Sequence, residues 1–125
     1  MARNDSPLEA QEQEALFQWA EWHSGKWPEL KLMYAVPNGG YRTKSEAARL
    51  KAQGVKAGVP DICLPVARSG CHALYIELKR RKGGVVSEAQ GKWIEALTAE
   101  GNECAVCAGA DAAITIIKRY LEGKG

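Results

Sequence analysis

Val59-Pro60-Asp61-Ile62-Cys63-Leu64-Pro65-Val66 and Ala73-Leu74-Tyr75-Ile76-Glu77-Leu78-Lys79 are the two stretches from which the fold can be read. Both are apolar and β-prone, and only Ala67 to His72 lies between them. A connection of that length suits an antiparallel hairpin of Ile62 to Val66 with Ala73 to Lys79. Side chains alternate along a strand, so Leu74, Ile76 and Leu78 point one way and Tyr75, Glu77 and Lys79 the other. A carboxylate and an ammonium thus share one strand face, with a hydrophobic face behind them. Asp61 opens the first run, and the hairpin is expected to bring it near Glu77 and Lys79.

Two carboxylates and a lysine form a workable site for metal-assisted attack on a phosphodiester. Mg²⁺ or Mn²⁺ takes hard oxygen ligands, commonly one or two carboxylates completed by water and substrate phosphate. Asp61 and Glu77 would supply the carboxylates and the Leu78 backbone carbonyl a further oxygen. Lys79 would orient the attacking water or offset charge on the phosphate. The same pattern also reads as a surface ion pair of Glu77 with Lys79, worth about 0.2–1 kcal/mol.

The flanking sequence narrows the choice. In order come Pro37-Asn38-Gly39-Gly40, a basic Ala/Lys helix, Gly54-Val55-Lys56-Ala57-Gly58-Val59-Pro60-Asp61-Ile62, Ile76-Glu77-Leu78-Lys79-Arg80, and Ser87-Glu88-Ala89-Gln90 before Trp93. This ordered set resembles the VRR-NUC family of PD-(D/E)xK nucleases, over roughly residues 7 to 121. Small phage and bacterial members stand alone, and a eukaryotic Fanconi-associated nuclease carries the domain at its C-terminus. The resemblance implies an α/β, restriction-endonuclease-like fold. It also implies a Mg²⁺- or Mn²⁺-dependent endodeoxyribonuclease that prefers branched DNA, such as four-way (Holliday) junctions or flaps, to a base sequence.

Further site residues follow from the same resemblance. Glu9 and Gln13 match the Glu-x-x-x-Gln pair at the start of such domains, where the glutamate faces the metal site; a water-mediated contact is expected here. Gln90 matches the glutamine that follows the Glu-x-Lys strand. Each also has a local role open to it, Glu9 in a capping box with Ser6 and Gln90 in one with Ser87. Glu12 rivals Glu9, because it lies between Leu8 and Leu16 on the apolar side of its helix. An acid there needs a partner or a metal.

The 125 residues suit one domain, 1–125, with a real core. No apolar run reaches 18 residues and the N-terminus lacks the apolar core of a signal peptide, so neither a membrane span nor export is expected. The expected compartment is a reducing cytoplasm, where the four cysteines stay free. A zinc or redox reading of Cys104-Ala105-Val106-Cys107 with Cys71-His72 or Cys63 is disfavoured, because this segment reads as a strand with its two thiols on opposite sides.

Net charge is only +2, yet residues 1–30 carry −4, residues 42–56 carry +4 and Lys79-Arg80-Arg81-Lys82 adds another +4. Two basic clusters flanking a carboxylate pair fit a polyanion lying across it. The candidate DNA contacts are Arg42, Lys44, Lys56, Arg80, Arg81 and Lys82. Either cluster alone also reads as a solvated basic loop. Asn38 with its glycines could approach a phosphate, and Tyr41 could stack on a base. A non-catalytic nucleic-acid-binding module on the same fold is the competing function.

The element order expected is α-β-α-β-β-α-β-α, with a mixed four-stranded sheet flanked by helices. A first helix from Ser6 buries Leu8, Ala15, Leu16, Trp19 and Trp22, and Leu30 to Val36 forms a strand. A helix runs from Thr43 to Gln53 with Ala47, Ala48 and Leu50 as its apolar side. Ser87 caps a helix to about Glu100, with Trp93, Ile94 and Leu97 inward. Glu103 to Ala108 makes the fourth strand, and Asp111 caps a last helix through Ala113, Ile114, Ile117 and Leu121. Symmetric cutting of a four-way junction needs two sites, so a homodimer is expected. Trp27, in a loop with no periodic reason to be buried, is a candidate contact for self-association or for a DNA junction, and a ring folded over the first helix is the other reading of it.

Overall fold

The hairpin forms. In the computed structural model, which describes residues 6–37 and 43–125, strand β2 (Ile62–Leu64) pairs antiparallel with β3 (Leu74–Lys79), Ile62 opposite Ile76 and Leu64 opposite Leu74. Strand β1 (Tyr34–Ala35) adds antiparallel to β2, and β4 (Glu103–Ala108) adds parallel to β3, giving the order β1-β2-β3-β4. A parallel neighbour requires a crossover, and helix α3 (Glu88–Ala99) supplies it. Helices α1 (Ser6–His23), α2 (Lys44–Ala52) and α4 (Ala110–Leu121) complete the expected order.

One face of the sheet carries the core. Leu74, Ile76 and Leu78 point into it, with Ile62 and Leu64 beside them, and all five are buried. Helix α1 brings Leu16 and Ala20, and α4 brings Ala113, Ile117, Tyr120 and Leu121. Each fully buried aliphatic side chain contributes about 1.5–3 kcal/mol relative to its exposed state. The two helices pack on each other as well as on β3, so the core fixes the height of the β3 face on the other side.

Several local expectations are corrected. The strand expected over Leu30 to Val36 shrinks to Tyr34–Ala35, because Pro28 starts a 3₁₀ helix, Pro28–Leu32, that buries Leu30 under α1. On α1 the buried stripe is narrower than the periodicity suggested: Leu8, Ala15 and Trp22 are exposed, and Ala20 is buried instead. Helix α2 buries none of its residues, so Ala47, Ala48 and Leu50 form no core face. In α3, Trp93, Ile94 and Leu97 are only half-buried. Gly109, with φ +94°, is the N-cap of α4, and Asp111 sits in its first turn.

Trp27 is folded over α1, its ring centroid 6.2 Å from that of Trp19, with the Lys26 ammonium 4.5 Å from its own centroid. Trp27 is therefore not the exposed anchor that its loop position allowed. All four cysteines carry free thiols. Among the described residues, no helix is long and apolar enough to cross a membrane.

Candidate active site

The site begins where β2 stops short. Continuing the hairpin register past Ile62 opposite Ile76 sets Asp61 opposite Glu77 and Pro60 opposite Leu78. Pro60 has no N–H to donate, so an ordinary ladder pair with Leu78 cannot form. Instead the Leu78 N–H donates to Asp61 Oδ2 at 2.9 Å, and the Val36 N–H donates to the Asp61 carbonyl at 2.7 Å. Strand β1 thus holds the aspartate backbone and β3 holds its carboxylate.

The Leu78 carbonyl faces the same side. Ala73 and Lys79 both offer their carbonyls to the β4 side, to Glu103 N–H at 3.0 Å and Gly109 N–H at 2.8 Å. Backbone groups alternate along a strand, so Leu78 directs its carbonyl away from β4, toward Pro60 and Asp61.

Glu77 and Lys79 stand on the face opposite the core, but that face is covered here. Glu77 is 2% exposed and Lys79 9%. Their ion pair, 3.5 Å between Lys79 Nζ and Glu77 Oε2, is therefore a buried one, not the solvent-exposed pair that alternation alone allows. Gln90 on α3 bridges them: its Nε2 donates to Glu77 Oε2 at 2.9 Å, and its Oε1 accepts from Lys79 Nζ at 3.0 Å. The same Oε1 accepts the Ser87 N–H at 2.9 Å, while Ser87 Oγ accepts the Gln90 N–H at 3.1 Å. Gln90 thus completes the capping box and faces the sheet at once, and the helix cap fixes which end of the amide faces which charge.

Two glycines permit this closeness. A Cβ on Gly58, which has φ +91°, would lie 2.8 Å from the Ala89 carbonyl carbon, so the loop bearing Asp61 packs directly on the first turn of α3. A Cβ on Gly84 would lie 2.8 Å from Lys79 Cβ, so the segment after β3 folds back onto the lysine stem.

The electrostatics of the pair are unfavourable for two charges. Burial, and then the Asp61 carboxylate beside it, push the Glu77 carboxyl up to about 8, against the pull of Lys79. Glu77 Oε1 is buried and has no hydrogen-bond partner. A buried carboxylate oxygen left bare beside a second carboxylate is a donor set suited to a hard divalent cation.

The remaining expected site residues divide. Glu9 is half-buried on α1. Among the described residues no three His, Cys, Asp or Glu side chains gather as metal ligands. Glu12 is committed elsewhere. Its Oε1 accepts the Ala110 N–H at 2.8 Å and its Oε2 accepts Arg81 Nε at 2.8 Å. Arg81, and then the Ala110 amide, hold its carboxyl below the usual range.

Arg81 is exposed and pairs with Glu12, and it lies 3.4 Å from Asp111. Arg80 is half-buried and donates to the Gly83 carbonyl at 3.0 Å. Lys44, Lys56 and Lys82 are exposed. Arg42, Asn38 and Tyr41 lie outside the described residues. The capping box of Ser87 with Gln90 forms as expected. The contribution of Pro60 was missed in sequence, although a proline beside the key aspartate, opposite a strand residue, signalled it.

Comparison with known proteins agrees with this geometry. A family model described as the VRR-NUC domain matches residues 8–111. A solved structure named "VRR_NUC domain protein" is 29% identical, superposes with a TM-score of 0.80, and aligns over 99% of this chain and 93% of its own. No curated protein matches. With most of its length inside the family model, and its fold matched end to end, the chain belongs to the VRR-NUC family of nuclease domains.

Proposed function

We propose that this protein is a Mg²⁺- or Mn²⁺-dependent DNA endonuclease that acts at branched DNA, such as four-way junctions or flaps, as a homodimer in the cytoplasm. The observation that carries the reading is the bare, buried Glu77 Oε1 beside Asp61. Asp61, Glu77 and the Leu78 carbonyl would hold the cation, with Glu9 reaching it through water. When bound, the cation lowers the pKa of a water and takes up charge on the phosphate.

The chain's own groups do the rest. Gln90 holds the Lys79 ammonium beside Glu77, at a fixed height over the strand face. From there Lys79 orients the attacking water or offsets the charge growing on the phosphate. Lys44, Lys56, Arg80 and Lys82, with Arg42, would follow the DNA backbone and give salt-sensitive, sequence-independent binding. Trp22, 71% exposed on α1, replaces Trp27 as the candidate anchor of the dimer.

The test is a cleavage screen of single-stranded, duplex, flap, fork and four-way-junction DNA with Mg²⁺ or Mn²⁺. Wild type is expected to cut branched substrates best, and Asp61→Ala and Glu77→Ala to cut none. Full activity in either variant removes the assignment of the site. Salt-sensitive binding with no cleavage under any metal would instead identify a binding module that keeps the nuclease fold.

A further inference from the structure

Val85 and Val86 are two apolar side chains with little packing to account for them. They are 76% and 38% exposed, in the segment that joins β3 to α3. A surface connection is normally polar, and an aliphatic tip on one gains the fold nothing. Here the tip is also held in place. Gly84 rests against the Lys79 stem, and the Arg80 guanidinium ties the Gly83 carbonyl at 3.0 Å. Immediately after Val86, Ser87 is fixed to Gln90 by the reciprocal cap of α3. The two valines therefore span the gap between Gly84, which rests against the Lys79 stem, and Ser87, whose cap partner Gln90 bonds the Lys79 ammonium. Valine is stiff at χ1, so presenting it costs little side-chain entropy.

The surroundings favour a nucleic acid over an apolar partner. Arg80 and Lys82 stand in the same turn as the valines. An aliphatic point next to cationic side chains suits an opened base step with a neighbouring phosphate. We propose that Val85, backed by Val86, is a wedge that enters the base stack of the DNA beside the scissile phosphate. This rests on the nuclease reading above and adds a source of substrate choice to it. Opening a stack is least costly where pairing is already interrupted. A wedge fixed next to the catalytic lysine thus selects branch points over continuous duplex without reading any base.

The experiment uses the full chain with a four-way junction and a flap, each carrying 2-aminopurine at the branch point, and the matching duplex. Fluorescence is read without divalent metal, so that no cleavage occurs, for wild type, Val85→Ser and Val85→Ile. Wild type is expected to raise the emission severalfold on the branched substrates. Val85→Ser should lose most of that rise and about ten-fold of its preference for branched over duplex DNA, within the cost of opening one base step. Val85→Ile should keep both. An equal signal from wild type and Val85→Ser, or no signal from either, overturns the wedge.

Cleavage with Mg²⁺ or Mn²⁺ is scored separately. Cleavage without a Val85-dependent signal overturns the wedge and leaves the nuclease standing. A Val85-dependent signal without cleavage supports the wedge and removes the nuclease.

Discussion

Glu77 is an acid whose ionisation the fold opposes, and this has a measurable sign. Unfolded, it titrates near its ordinary value of 4.5; folded, burial and Asp61 hold it at about 8. Between those values the folded chain binds more protons than the unfolded one, so metal-free stability falls as pH rises from about 4.5 through 8. The loss is complete above that window and amounts to roughly a few kcal/mol, at 1.36 kcal/mol per unit. Glu77→Gln removes the charge, so the metal-free variant should melt higher than wild type above pH ~8.5 and show a flatter pH profile. A lower melting temperature there would mean that the Lys79 ammonium outweighs burial and Asp61 in the metal-free protein. Lys79→Ala should abolish cleavage yet keep Mn²⁺ affinity by calorimetry, because an ammonium is no metal ligand. Loss of Mn²⁺ binding would show that Lys79 shapes the carboxylate pair. At this scale the sequence was readable where period two applies: alternation alone put Glu77 and Lys79 on one face. It gave no sign that the face would be closed over, because burial there comes from Gln90 and Gly84, which sit at no fixed strand spacing.

At the scale of elements, the basic run after β3 does two jobs. Arg81 turns back to Glu12, which also accepts the first N–H of α4, so α1, α4 and the end of β3 meet in one clamp. Lys82 remains exposed. The two residues should separate in a salt titration. Lys82→Ala should flatten the log–log dependence of DNA binding by nearly one unit. Arg81→Ala should leave that slope alone and lower the melting temperature instead, since the Glu12 cap of α4 is worth about 1 kcal/mol and loses its partner. A slope change in Arg81→Ala and none in Lys82→Ala would reverse the assignment. Sequence spacing treats the run as uniform because the clamp joins residues 69 positions apart. The 3₁₀ helix at Pro28 and the Gly109 cap were misread for a related reason: each depends on what packs against the segment, not on its own pattern.

For the whole molecule, the apolar side chains left over after core packing bear on assembly. Trp27 is used against Trp19, and Trp22 is left outside. Sedimentation of wild type and Trp22→Ala over a concentration series should give a dimer that weakens at least ten-fold in the variant, as for a buried aromatic anchor. A wild type that stays monomeric at every concentration defeats the free dimer. The order of helices and strands was legible end to end, because amphipathic period and turn residues mark each element. The pairing of β3 with β4 was legible because a helix between two strands needs a crossover. Which aromatic side chains stay outside was not, since α1 presents several at helical spacing and the positions of α4 and of the 3₁₀ helix decide among them.

Gln90 is both the cap that starts α3 and the tether that holds Lys79. Helix ends are where folded proteins open first. Each fraying of the first turn of α3 therefore releases the lysine and uncovers Glu77 in the same event. Amide exchange at Gln90 and Gly91 would then count how often the protein disarms itself. Warming should drain activity along that local opening, well before the sheet beneath it melts.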